Sequence, residues 1–324
     1  MSDRYSRQIV LPEVGAAGQA KLAAASVLVV GAGGLGSPVL QYLAAAGVGR
    51  LVIVDPDRVE ESNLHRQPLY RMGDLGLGKA EAARAALREL NPDTAVDAIA
   101  ERLTPANAAC RVAGVDLVID AADSLAVTYV LSDECQRAGK PFISASALGL
   151  SGYVGAFCAG APSYRAVFPE MPRQAGSCSE AGVLGTVVAV MGVMQAHLAL
   201  SLLLGLESAV LGRLVTIDFR TLRIGGFSFA GAPEPMGTSI PFISASDVSD
   251  KDIVVDLRSL SEAPASPITA ALRIGVEPIE RAEAQFPDGP RLVLCCRTGI
   301  RAWRAARALQ RQGHPNVAVI AFGE

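Results

Sequence analysis

Much of what this 324-residue chain lacks bears on its function. It has only three histidines and no HExxH or GxSxG motif, so the usual machinery of metalloproteases and serine hydrolases is missing. Basic excess is also missing. The formal net charge is -3 and the pI is near 5.7, which argues against nucleic acid or an anionic membrane as partner, because both need a basic surface. The N-terminal Met1-Ser-Asp-Arg-Tyr-Ser-Arg7 has no apolar core and does not read as a signal peptide. Together with six cysteines this gives the expectation of a reducing, cytoplasmic setting. No repeat of solenoid length is visible.

Charge is absent between Glu180 and Glu207, and the run Val183 to Leu206 is long enough to span a bilayer. Against a membrane helix stand Thr186, Gln195, His197, Ser201, three glycines and the lack of a flanking basic cluster or aromatic belt. The expectation is a buried helix packed on a sheet, with His197 a satisfied core histidine. With 50% hydrophobic and 19% charged residues, the length suits two well-filled domains.

What is present begins with Ser26-Val-Leu-Val-Val-Gly-Ala-Gly-Gly-Leu-Gly36, followed by Leu51-Val-Ile-Val-Asp55. This reads as strand, glycine turn, helix and a second strand ending in a carboxylate. Gly31 allows the tight turn, Gly33 lets the backbone approach phosphate, and Gly36 lets the helix pack on the strand. The helix N-terminus offers unpaired N–H groups to the anion. Asp55 follows Gly36 by nineteen residues, where a ribose-binding carboxylate is expected.

The chain continues Asp55-Pro-Asp57-Arg-Val-Glu-Glu-Ser62-Asn63-Leu-His-Arg66-Gln67, and later offers Lys79, Asp120 and Asp123. Arg66 and Lys79 can neutralise phosphate oxygens, and Ser62 and Asn63 can donate hydrogen bonds. A carboxylate after a later strand can hold hydrated magnesium, so the set suits a triphosphate with a metal. Asp57 is a further nucleotide-site candidate. The bland alternative is a solvated charged loop. Gly73 to Ala80 almost spells a phosphate-binding GxxxxGK[ST] loop, but its hydroxyl position is alanine and no buried strand precedes it, so that reading is refused.

Further marks are Arg4-Tyr-Ser-Arg7-Gln, Gly78-Lys79, Asp120-Ala-Ala-Asp123 and Cys178-Ser-Glu-Ala-Gly182-Val. With these, residues 1–228 resemble the ubiquitin-activating-type adenylyltransferases of the MoeB/ThiF group, which activate small ubiquitin-like sulfur carriers. The resemblance implies that Gly34, Asp55, Asn63, Arg66 and Lys79 contact ATP and that Asp123 holds Mg2+. It also implies a homodimer in which Arg7 reaches the neighbouring subunit's site as an arginine finger. Cys178 is implied to form a covalent link with the carrier. From the residues alone, Cys178 lies in a glycine-bounded loop before a helix whose N-terminus would stabilise a thiolate, and a loop cysteine without chemistry fits that spacing as well.

The chain departs from this family in two places. Many members bind structural zinc through two CxxC pairs, but the first pair's positions read Ser163-Tyr-Arg-Ala166 and no CxxC follows Leu214-Val-Thr-Ile-Asp-Phe219. Zinc is therefore not expected. Ser124 also stands where the family usually has asparagine, and it keeps a hydrogen-bond donor.

Gly225 to Gly237 is rich in glycine and proline, lacks any period and reads as a flexible linker, with residues 229–246 joining the two domains. A second α/β pattern fills 247–324. It has strands at Asp252-Ile-Val-Val-Asp256 and Arg291-Leu-Val-Leu-Cys295, then a helix from Ile300 to Arg311. Cys296-Arg-Thr-Gly-Ile-Arg301 lies where strand turns into helix, so N–H donors and two arginines would stabilise a thiolate or persulfide. Cys295 reads as a strand residue facing a core. This region resembles a compact rhodanese domain, with Asp256-Leu-Arg258 matching the family's early DxR element and Cys296 at the catalytic position.

The expected architecture is a doubly wound, Rossmann-like α/β domain with a mixed sheet, joined to a small rhodanese-like α/β domain. The expected function is ATP-dependent adenylylation of a ubiquitin-like carrier ending in Gly-Gly, followed by sulfur transfer to give a thiocarboxylate. Thiosulfate or a cysteine desulfurase would supply the sulfur. Two rivals remain. One is an adenylyltransferase or carrier-docking protein with an inactive rhodanese domain. The other is an NAD-dependent oxidoreductase using the same glycine turn, in which Arg66, Lys79 and Asp123 would be idle.

Overall fold

A computed structural model describes residues 3–172, 182–206, 210–236 and 239–323. The strands of the larger sheet are β1 Ser26–Val30, β2 Arg50–Val54, β3 Ala95–Ile99, β4 Leu117–Asp120, β5 Phe142–Leu148, β6 Ser151–Phe157, β7 Arg213–Asp218 and β8 Arg223–Ser228. The main helices of that part are α1 Ser6–Ile9, α2 Gly15–Ala24, α3 Gly36–Ala45, α4 Lys79–Leu90, α5 Pro105–Ala113, α6 Leu125–Ala138, α7 Tyr164–Val167 and α8 Gly185–Leu204. Among the described residues the strand order is β3-β2-β1-β4-β5-β6-β7-β8. The first five are parallel and the last three antiparallel, so the sheet is mixed as expected.

The strands are continuous apolar runs because both faces are covered. Val27, Val29, Leu51, Ile53, Leu117 and Ile119 face a core shared with α3, α4 and α8. The alternate residues Leu28, Val30, Val52, Val54 and Val118 face a second core containing α5 and α6 residues. Helix α8 fills the charge-free run. It is long and apolar enough to cross a membrane, yet Val187, Val188, Met191, Gln195, Ala196, Ala199 and Leu202 are buried within the protein. His197 lies on its exposed side, which corrects the expected core histidine. Gly205, in the left-handed region at φ 89°, ends the helix.

The second sheet has strands β9 Ile253–Asp256, β10 Leu272–Arg273, β11 Leu292–Cys296 and β12 Val317–Ala321, all parallel, in the order β10-β9-β11-β12. Its helices are α9 Val276–Glu280 and α10 Ile300–Arg311. Helix α10 has the expected bounds, and the strands β9 and β11 begin one residue later than read from the sequence.

The two α/β units share one apolar core. Ala126, Tyr129 and Val130 of α6 belong to the same cluster as Ile300, Trp303 and Ala306 of α10. Gly225–Ser228, read as part of a linker, belong to β8, and several described residues of the segment between the units are held in place. Phe229, Ile240 and Phe242 are buried, the Ile243 N–H donates to Val319, and the Val319 N–H donates to Pro241. The expectation of a flexible tether is corrected for these residues, whose apolar side chains outweigh the glycine and proline around them.

Candidate active site

Strand order reverses between β1 and β4, and the crevice at their carboxyl ends is where open α/β sheets place ligands. The glycine turn enters it from β1. Gly31 has φ 96°, and a Cβ there would lie 2.5 Å from the Ala121 carbonyl oxygen. The end of β4 is thus pressed against the turn, which brings the Asp120–Asp123 loop to the same edge. A Cβ on Gly36 would lie 2.0 Å from the Gly31 carbonyl oxygen, so the start of α3 needs glycine for packing. Gly33 differs, since a Cβ there would meet only Gln67 Nε2 at 3.5 Å. Gly34 is covered by Val188 of α8 and lies near the Arg66 carbonyl.

Asp55 ends β2 almost fully buried. It accepts from the Ala32 N–H at 2.7 Å and the Asp57 N–H at 2.8 Å. Burial pushes its carboxyl above the ordinary value, while these N–H groups and the nearby Lys79 charge pull it down. Lys79 opens α4 and is buried, with Nζ 2.9 Å from exposed Asp57. Its backbone N–H donates to the Asp57 carbonyl. Tyr70 closes this corner, its hydroxyl placed to bond the carbonyls of Ala32 at 2.7 Å and Lys79 at 3.2 Å.

The segment Glu61–Gln67 covers the turn. Asn63 is buried and donates to Ser62 Oγ at 3.1 Å, while Ser62 itself is exposed. The Arg66 guanidinium rests on the Ser62 carbonyl at 3.0 Å and beside His65 Nε2 at 2.9 Å. Gln67 and Gln195 are buried, and each has a side-chain oxygen without a partner. The other end of Gln195 donates to the Asp120 carbonyl at 2.6 Å, fixing the β4 loop from beneath.

Asp120 and Asp123 take different environments. Asp120 accepts from Thr128, Ser144 and the Ala122 N–H inside the protein, whereas Asp123 is exposed at the crevice. An exposed carboxylate beside a phosphate-approaching glycine turn fits magnesium, which keeps waters and binds through one or two carboxylates plus phosphate oxygens.

Arg7 is not brought to this crevice within the chain. It is exposed on α1, which Gln8 anchors to the Ala46 carbonyl at the far end of α3. A helix of that length separates the two by about 15 Å. Cys178 lies outside the described residues.

In the second unit, Cys296 ends β11 with no exposed surface, and its Sγ accepts from the N–H groups of Gly299 at 3.2 Å and Ala302 at 3.4 Å. Gly299 takes φ 86° to turn the loop back into α10. The Arg301 guanidinium pairs with Glu262 and also reaches the Cys296 sulfur. Cys295 faces the opposite core, where burial pushes its thiol up to about 12 and Sγ donates to the Val255 carbonyl. The strand alternation separates the two neighbours as expected. Asp256 is fully buried, with Arg258 at 2.8 Å and Arg273 at 3.6 Å.

The sequence matches the ThiF family over residues 5–235 and a rhodanese-like domain over residues 244–323. The chain belongs to the ThiF family. Similar proteins include the adenylyltransferase and sulfurtransferase MOCS3 of Drosophila grimshawi, 46% identical over 68% of this chain and 51% of that one. The Bos taurus protein of the same description is 48% identical over 68% and 50%. The SAMP-activating enzyme E1 of Haloferax volcanii is 44% identical over 67% and 81%. This ThiF-family chain spans about half the length of the MOCS3 proteins it matches. Among solved structures, Escherichia coli MccB with ATP is similar at 23% identity and a TM-score of 0.61 over 72% of each chain. PaaA gives 21% and 0.59 over 70% and 73%. At these identities the likeness is one of fold.

Tyr70, Gln67 and Gln195 are parts of the crevice that were not among the candidates named from the sequence. Gln67 stood within the quoted motif, but a polar residue inside the apolar run of α8 was the only signal for Gln195, and Tyr70 had none.

Proposed function

We propose that this protein adenylates the C-terminal glycine of a ubiquitin-like sulfur carrier and then replaces the activated oxygen by sulfur. The carrying observation is that one chain joins a ThiF-family nucleotide crevice to a rhodanese-type loop whose cysteine sulfur receives two backbone N–H groups. The named activities of MOCS3 and the SAMP-activating enzyme support the same reading.

ATP would lie along the glycine turn, its ribose on Asp55 and its phosphates toward Asn63, Arg66 and Lys79, with Ser62 and Asp57 at the rim. Asp123 would hold magnesium, which supplies charge neutralisation to the phosphates. The carrier carboxylate attacks the α-phosphorus, and pyrophosphate leaves with the bonding electron pair. Lys79 and Arg66, with Arg7 from the other subunit of a homodimer, offset the charge that develops there.

Sulfur enters when the Cys296 thiolate attacks the outer sulfur of thiosulfate, forming a persulfide and releasing sulfite. A desulfurase persulfide is the alternative donor. The persulfide then attacks the acyl carbon, AMP departs, and an acyl disulfide joins carrier to Cys296. Attack by the Cys178 thiolate on Cys296 Sγ frees the thiocarboxylate and leaves a Cys178–Cys296 disulfide. An external dithiol reduces that bond, as a cytoplasmic setting would allow.

Intact-mass measurement of a Gly-Gly-ended carrier from the same organism, incubated with protein, MgATP, thiosulfate and dithiol, tests the scheme. Exchange of one terminal oxygen for sulfur supports it. An adenylated carrier without sulfur would remove the rhodanese step, and NAD(H) binding without magnesium would favour the oxidoreductase.

A further inference from the structure

The rhodanese-type loop is packed against the nucleotide-binding unit at a defined place. A Cβ on Gly299 would lie 3.6 Å from Ala126 Cβ, in the first turn of α6 and three residues beyond Asp123. Around this contact, the Trp303 ring lies 5.4 Å from Tyr129 and is stacked with Phe242 at 6.0 Å. The Arg165 guanidinium, paired with Asp133 at 2.6 Å, sits over both Tyr129 and Trp303. At the rim, Glu170 pairs with Arg307 through both carboxylate oxygens and accepts from Trp303 Nε1 at 3.4 Å.

Two consequences follow from this arrangement. The sulfur loop is held next to the crevice of its own chain, whereas a free tether would spread it over many positions. Cys296 also has no exposed surface, and the loop residue Gly299 that donates to its sulfur is the one packed near Ala126 and Phe242, so a sulfur donor reaches Cys296 only when this loop opens.

We propose that Glu170 is a positioning residue, which through Arg307 and Trp303 clamps the Cys296 loop onto the adenylate site of the same chain. Resting on the function proposed above, the clamp opens for sulfur loading and closes for delivery. Opening and closing therefore affect the two half-reactions in opposite directions. Loss of fold would depress both, along with adenylation.

The test compares Glu170→Arg, Arg307→Glu and the double charge swap in the full chain. Iodoacetamide alkylation of Cys296, read by peptide mass, reports opening without any sulfur chemistry. Each single variant is expected to raise it about tenfold, as local opening does. Carrier-dependent exchange of pyrophosphate into ATP is expected to stay within about twofold, and thiocarboxylate formation to fall about fivefold, the size of a rim charge effect. The swap restores both altered values.

Unchanged alkylation in the single variants, or a swap that fails to restore it, overturns the clamp. A wild-type protein that makes no thiocarboxylate overturns the function instead, because alkylation still reads the clamp. Delivery within one chain has its own check. Mixed Cys296→Ala and Asp123→Asn proteins are expected to make no thiocarboxylate, and recovery of product on mixing overturns it.

Discussion

The Glu234 carboxylate accepts the backbone N–H of Ser163 at 2.7 Å and its hydroxyl at 2.6 Å. Ser163 caps α7, so this contact ties the loop after β6 to the segment after β8. The MoeB/ThiF resemblance implies a first CxxC pair at Ser163–Ala166, and at that place a carboxylate makes the cross-link. Glu234→Ala is expected to destabilise the protein by about 2 kcal/mol, the scale of charge-assisted bonds at a partly buried site. EDTA should leave the wild-type melting midpoint unchanged. A midpoint that falls with chelator, or one indifferent to Glu234→Ala, would refute this account.

The glycines of the turn separate packing from ligand approach. Gly36→Ala sets a methyl against the Gly31 carbonyl and is expected to cost about 3 kcal/mol or more, since backbone cannot step aside cheaply. Gly33→Ala meets only a side-chain nitrogen at 3.5 Å, so its melting midpoint should hold while calorimetric ATP affinity falls. If both variants melt alike and bind ATP alike, the division of roles is wrong.

The sequence was most legible where structure is local. The β1–glycine turn–α3–β2 unit, the bounds of α10 and the opposed faces of Cys295 and Cys296 all follow from short-range periodicity and steric need. Contacts between distant segments left less trace. Tyr70 reaches Ala32 across 38 residues and Gln195 reaches Asp120 across 75, with no spacing to announce either. Helix α8 is apolar all round, so no period indicated that His197 would face solvent. Between 229 and 246, glycine and proline mark turns without saying whether Phe229, Ile240 and Phe242 are buried. Arg7 was legible as a motif residue, but its own chain places it at the far end of α3.

Asp120 should leave a signature in acid. Burial pushes its carboxyl up to about 6, although bonds from Thr128, Ser144 and the Ala122 N–H pull the other way. A raised value means the folded protein takes up this proton more readily than the unfolded chain. The resulting stabilisation is complete below about pH 4 and is lost as pH rises through about 6. Asp120→Asn removes the titration. The stability of wild type minus that of the variant should therefore fall by about 3 kcal/mol between pH 4 and 6 and stay level above. Denaturant melts across that range check this, and a flat difference would show that Asp120 keeps its ordinary ionisation.

Lys79 gives the most direct test of the nucleotide crevice. Only 8% of its side chain is exposed and its ammonium is paired with Asp57, which is 60% exposed. Lys79→Met preserves the packed stem and lets Asp57 rehydrate, while buried Asp55 loses a nearby countercharge, so a melting change of about 1–2 kcal/mol is expected. If the ammonium meets phosphate oxygens during adenylation, carrier-dependent pyrophosphate exchange should nonetheless drop about 100-fold or more, the scale of losing one preorganised charge. Asp57→Asn keeps the ammonium and removes only its countercharge, so its smaller loss, about tenfold, should appear mainly in KM for ATP. Exchange within threefold of wild type in Lys79→Met would make Lys79 a structural cation, because a fold-preserving substitution would then have removed the charge without touching the chemistry.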